Sequence, residues 1–156
     1  MFDRFSERTI WILFLAVAEA RRLGQSAVGS EHLLLALMRH SQGKVAKLLH
    51  GVGAELWPAR LQVARLAGRG RTRLGWAPFG WGTEYFFEKD AQIAFKQAGV
   101  EATRFASEKL YPEHLLAGLI YTETSNVCAV LEALGVDMKD LNSRLNELLV
   151  RQAQTL

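Results

Sequence analysis

The residues whose types and spacing could carry chemistry are two Glu-His pairs, Glu31-His32 and Glu113-His114, each heading a run of leucines. They lie in Ser30-Glu31-His32-Leu33-Leu34-Leu35-Ala36-Leu37 and in its near copy Pro112-Glu113-His114-Leu115-Leu116-Ala117-Gly118-Leu119, at an offset of 82 residues. A carboxylate and an imidazole at a helix start have two uses. They can form a polar binding site, or they can cap and orient the helix, whose N-terminal dipole favours negative charge. His40, His50 and the single Cys128 add nothing periodic, so neither a metal site nor a cofactor is expected. Serine, histidine and acidic residues occur without a strained nucleophile turn, so no catalytic residue is assigned and enzymatic activity is not expected.

The elements that must position these residues follow from the same offset. Phe5 aligns with Phe87, Ala16 with Ala98, Glu19 with Glu101, Ala20 with Ala102, Leu49 with Leu131 and Gly53 with Gly135, without a gap. A unit repeated at fixed spacing is a supersecondary block that buries its apolar face against its twin. Ser6 reads as the N-cap of a first helix over about Glu7 to Arg22, with Phe5 placed to pack on Ile10. Gly24 ends that helix, and alanines one turn apart allow another helix close to it. Pro112 fixes a second-helix start, because proline is tolerated in a first helical turn and not beyond it. Further helices are expected near 44–50, 55–66, 88–104, 112–121, 125–134 and 137–152. No stretch alternates like a half-buried strand. The fold class is therefore all-α: an eight-helix, pseudo-twofold tandem repeat of two four-helix units. Repeat one covers about 5–67 and repeat two about 87–149, within a single domain over 1–156.

At 156 residues, 49% hydrophobic and 22% charged, the chain can bury a full core without a disulfide. One cysteine suits a reducing compartment, the cytoplasm or a plastid stroma. The apolar run from Ile10 to Ala18 resembles a signal-peptide core, yet it aligns with the interior of repeat two and follows mixed charges; at nine residues it is also too short to span a bilayer. No membrane association is expected. A net charge of +3 does not mark a nucleic-acid binder.

Two surfaces stand out beyond the Glu-His pairs. Where repeat two has Gln92, Lys96 and Gln97, repeat one has Ile10, Phe14 and Leu15. Under the symmetry, Ile10, Phe14 and Val17 form a stripe facing away from the core. Burying one such side chain is worth about 1.5–3 kcal/mol, so a contact is expected there with a partner, a second copy of the chain, or the linker. That linker, Gly68 to Gly82, holds five glycines, one proline, clustered arginines, and Trp76, Phe79 and Trp81. Its aromatics fit the groove between the two repeats, a docked protein or, as an alternative, stacking on single-stranded nucleic acid.

With Phe-(Ser/Thr) at each first helix departing only at Glu88, and two spaced Glu-His-Leu-Leu boxes, the chain from Phe5 to about Leu149 resembles the Clp N-terminal domain of ClpA- and ClpC-type chaperones. The resemblance implies a non-enzymatic protein-binding module that docks adaptors, substrates or Clp protease and chaperone subunits. No Gly-x-x-x-x-Gly-Lys-(Ser/Thr) loop occurs, so the chain lacks the usual ATP cradle. A free-standing accessory protein is expected; the alternative is the front end of a longer unfoldase. The resemblance also implies a phosphoarginine pocket in some members. Carried over, it pairs Ser6 with Glu31, and Glu88 with Glu113, where Glu88 replaces the hydroxyl and repels phosphate. Ser6, Glu31, His32, Glu113, His114, Ile10, Phe14, Val17, Trp76, Phe79 and Trp81 are thus the candidate ligand- or partner-binding residues.

Overall fold

A computed structural model describes residues 2–25, 27–67, 87–122 and 126–155. Trp76, Phe79 and Trp81 lie outside the described residues. Among the described residues eight helices form in chain order: α1 (Glu7–Arg22), α2 (Ser30–Arg39), α3 (Lys44–Gly51), α4 (Leu56–Ala67), α5 (Lys89–Arg104), α6 (Pro112–Tyr121), α7 (Val127–Ala133) and α8 (Met138–Thr155). Adding 82 to the bounds of α1 and α2 reproduces those of α5 and α6. The helix starts follow their local chemistry. The Ser6 side chain accepts from the Thr9 amide at 3.2 Å, and Pro112 opens α6. None of the described helices is long and apolar enough to cross a membrane.

The symmetry shows at single residues. Isolated bridges pair Phe5 with Leu110 and Val28 with Phe87, which are the same contact made twice. Gly53 and Gly135, at equivalent positions, both adopt left-handed φ (92° and 80°) after α3 and α7. Such values suit glycine because no Cβ meets the following carbonyl. At the junction of the repeats, the rings of Phe2, Phe5, Phe87 and Phe95 meet edge to face at centroid distances of 5.0–5.8 Å.

The central elements are α2 and α6, which are buried along nearly their whole lengths. A helix apolar all round belongs inside a protein. Leu33, Leu34, Leu35 and Leu37 of α2 join Leu115, Leu116 and Leu119 of α6 in one core, with Ile12 and Leu13 of α1 packed onto it. The alanines of the first helices act as the spacing suggests: Ala16, Ala20, Ala98 and Ala102 are fully buried. At Gly118 the backbones of α5 and α6 come close together. A Cβ on Gly118 would strike the Ala94 carbonyl oxygen and lie 2.8 Å from the Ala98 nitrogen. Backbone cannot swing aside as a flexible side chain can. Gly118→Ala is therefore expected to cost about 1–3 kcal/mol by overpacking, read as a lower urea midpoint at unchanged slope. Helix propensity alone favours alanine by about 1 kcal/mol, so a stabilised variant would show that the two helices part freely.

Candidate functional site

The bridges that join the repeats also decide which polar residues meet. Ser6 donates its amide to the Leu110 carbonyl at 3.0 Å, and Glu88 donates its amide to the Val28 carbonyl at 2.8 Å. Each first helix therefore begins beside the second helix of the other repeat. The expected pairing of Ser6 with Glu31, and of Glu88 with Glu113, is corrected by this exchange. Glu31 meets Glu88 and Asp90 at one junction, whereas Ser6 lies against the turn leading to Glu113 at the other.

The first junction is acidic. Ligand oxygens of Glu31, Glu88 and Asp90 lie within 4.8 Å of one another. Asp90 holds the start of α2, accepting from the Ser30 hydroxyl at 2.5 Å and from the Ser30 amide at 3.3 Å. Glu31 is 5% exposed, and its Oε2 has no hydrogen-bond partner among the described residues. Burial pushes its carboxyl up to about 7, with Asp90 and Glu88 adding repulsion against the lowering effect of hydrogen bonds from its own amide and Ser30. Glu88 is raised too, by burial and then by Asp90.

The second junction has the opposite balance. Burial raises the Glu113 carboxyl, while Lys44 and Arg8 pull it back. The Thr9 hydroxyl donates to the Leu110 carbonyl at 2.8 Å, which leaves the Ser6 hydroxyl as donor in their 2.9 Å contact. Ser6 Oγ also accepts from the Thr9 amide, so its hydrogen bonds serve the helix start.

Both histidines close the helix they stand on. His32 Nδ1 accepts from the Gly29 amide at 2.9 Å and His114 Nδ1 from the Tyr111 amide at 3.0 Å. Burial lowers both to about 4, holding the rings neutral, as an accepting Nδ1 requires. Their Nε2 atoms are buried without a hydrogen-bond partner among the described residues.

The apolar stripe on α1 also needs correction. Ile10 and Val17 are half-buried against the core, because their positions lie on the flank of the helix rather than its outer face. Phe14 is exposed, and its ring is 6.3 Å from that of exposed Trp11. The symmetry rule itself holds at this position, since Lys96 is exposed where Phe14 is. On α4, Trp57 and Leu61 are exposed one turn apart. The guanidinium groups of Arg22 and Arg60 stand 4.9 and 5.0 Å from the Trp57 ring centroid. Comparing α4 with α8 as α1 was compared with α5 finds this patch, because Lys139 and Ser143 occupy the matching positions.

Comparison with known proteins agrees with this architecture. The family model of the Clp repeat (R) N-terminal domain matches residues 4–77 and 86–156. The chain is 34% identical over 145 residues to the chloroplastic chaperone protein ClpC2 of Oryza sativa subsp. japonica, covering 93% of this chain and 15% of that one. It is 35% identical over 145 residues to the ATP-dependent Clp protease ATP-binding subunit ClpA homolog of Cyanidium caldarium, covering 93% and 16%. It thus spans about one sixth of the length of these relatives. Among solved structures, the N-terminal domain of the caseinolytic protease associated chaperone ClpD of Arabidopsis thaliana is similar at a TM-score of 0.70 and 25% identity, covering 99% of this chain and 95% of that one. The Hsp104 N-terminal domain of Candida albicans shares the fold at TM-score 0.70 with 14% identity, over 94% and 91% of the two chains. Two Glu-His boxes that cap twin central helices, in halves whose first helices each begin beside the second helix of the other, are accounted for by one assignment: the chain belongs to the Clp repeat N-terminal domain family.

Proposed function

We propose that this chain is a non-enzymatic docking module of a Clp protease or chaperone system, binding adaptors, substrates or Clp subunits through the outer face of α1. The observation that carries this reading is the exposed Trp11–Phe14 pair, which repeat two replaces with half-buried Ile93 and exposed Lys96. An exposed aromatic pair on one copy of a duplicated helix contributes nothing to packing of the core and suits an interface. The test is binding of the purified chain to purified Clp chaperone and adaptor proteins of its own cell. Trp11→Glu with Phe14→Lys is expected to weaken the complex by at least about tenfold, since each buried ring is worth about 1.5–3 kcal/mol. Equal affinity with unchanged helicity would remove α1 from the interface. The module acts in trans as a free-standing accessory protein, in the cytoplasm or a plastid stroma; an immunoblot showing a native polypeptide of chaperone length would place it in cis instead.

A phosphorylated guanidinium is the finer ligand the family resemblance implies. Its mixed charge is matched at the second junction, where Glu113 sits near Arg8 and Lys44, and not at the acidic first one. Free phosphoarginine, titrated against the wild type and Glu113→Gln, reads this out directly.

A further inference from the structure

The acidic junction has a feature that helix capping does not use. Glu31 is buried, yet among the described residues its Oε2 has no hydrogen-bond partner. Both Glu31 oxygens lie over Gly29: a Cβ built there would lie 2.6 Å from Glu31 Oε2, 2.8 Å from its Oε1 and 2.8 Å from Glu88 Oε2. Two carboxylates from different repeats thus pack directly against the Gly29 backbone, where any side chain would displace them, with Asp90 beside them. The other junction has no such arrangement. There Tyr111, Ser6 and Arg8 replace Gly29, Glu88 and Asp90 at the equivalent positions.

We propose that Glu31, Glu88 and Asp90 form a binding site for a hard divalent cation of the Ca2+ class, clamping repeat one to repeat two. The chemistry fits on three counts. All three donors are carboxylate oxygens, the ligands that hard cations take, whereas zinc and softer metals favour nitrogen and sulfur. Calcium–oxygen bonds of about 2.3–2.6 Å place ligand atoms up to about 5 Å apart across the ion, which accommodates the 4.8 Å limit of this cluster. Magnesium demands shorter bonds in a stricter octahedron, so Ca2+, with Mn2+ as its paramagnetic probe, suits the spacing better. Asp90 keeps its hold on Ser30 while binding, because each carboxylate oxygen has more than one lone-pair direction.

The site is tested on the whole chain by calorimetric titration with CaCl2 and by Mn2+-induced relaxation of amide signals. Three carboxylates and water predict a dissociation constant of roughly 0.1–1 mM, with broadening centred on Gly29, Ser30 and Lys89. Glu88→Gln, at an exposed position that leaves the core intact, is expected to weaken Ca2+ at least about tenfold. Gly29→Ala, which drives a methyl group against the Glu31 and Glu88 carboxylates at an ordinary φ of −94°, is expected to do the same. The proposal is overturned by any of three results: no heat and no selective broadening up to about 10 mM metal, well above that range; a response that Glu88→Gln leaves unchanged; or methylguanidinium binding at these residues while Ca2+ does not.

Discussion

Arg60→Ala is expected to lower the unfolding free energy by about 3–5 kcal/mol, the usual cost of removing one partner from a buried ion pair. Glu19 is fully buried on α1, and its carboxylate accepts from Arg60 Nη2 at 2.6 Å and Nε at 3.1 Å. This two-pronged contact fixes α4 against α1. Arg39 offers a longer contact at 3.5 Å from a half-exposed side chain, so it cannot replace the lost guanidinium. The change also removes one of the two cations over Trp57. A urea titration monitored by circular dichroism gives the number directly. Replacing Glu19 and Arg60 together by leucine should restore much of the loss, since a packed apolar pair is often no less stable than a buried ion pair. A single Arg60→Ala loss below about 1 kcal/mol would mean that Glu19 is satisfied by other means. Repeat two offers an internal contrast. Its Glu101 accepts from Gln97 and Arg104, with Asn142 standing where Arg60 does.

Stability should also fall on acidification through His114, by roughly 3 kcal/mol between pH 6.5 and 4. In the folded chain this ring is held at about 4, by burial first and by the neighbouring Arg4 second, against an ordinary value of 6.5. Arg4 stays close because it donates to the carbonyls of Ser107 and Glu108. The sign follows from proton counting: below pH 6.5 the unfolded chain takes up a proton that the folded chain refuses, so acid favours unfolding. Above pH 6.5 the contribution is complete, and it disappears as pH falls toward 4. Glu113, adjacent in sequence, has a raised pKa and works in the opposite direction, gaining stability in acid. His114→Gln keeps an acceptor for the Tyr111 amide and removes the titration. Urea midpoints measured from pH 7 down to 4.5 should therefore decline less steeply in the variant; parallel declines would show that the ring is protonated in the folded state.

Much of the architecture was legible from a single number, the 82-residue offset. Hydroxyl and glycine punctuation placed α1, and the offset matched the first helix of repeat two and the Pro112 helix start to repeat one within a residue, because such punctuation at helix ends acts through neighbouring residues. The caps at Ser6 and Pro112 belong to the same local category. The apolar stripe was only partly legible. Phe14 emerged from comparing the copies, but Ile10 and Val17 sit on the helix flank, where exposure depends on how closely α2 packs. Trp11 escaped because its counterpart Ile93 is also apolar, so the comparison showed no contrast there.

The sequence by itself determined an all-helical duplicated fold, the bounds of α1 and the capping role of Ser6 and Pro112, since each depends on chain-local chemistry and periodicity, whereas α7 starts two residues and α8 ends three residues from where periodicity put them. Only the tertiary structure decided which Glu faces which partner. Periodicity says that Glu31 and Glu113 are equivalent, and it is silent on which repeat supplies their neighbours. Phe5 bridging to Leu110, and Phe87 to Val28, exchanges those neighbours between the halves. That exchange gathers Glu31, Glu88 and Asp90 at one junction and leaves Arg8 and Lys44 near Glu113 at the other.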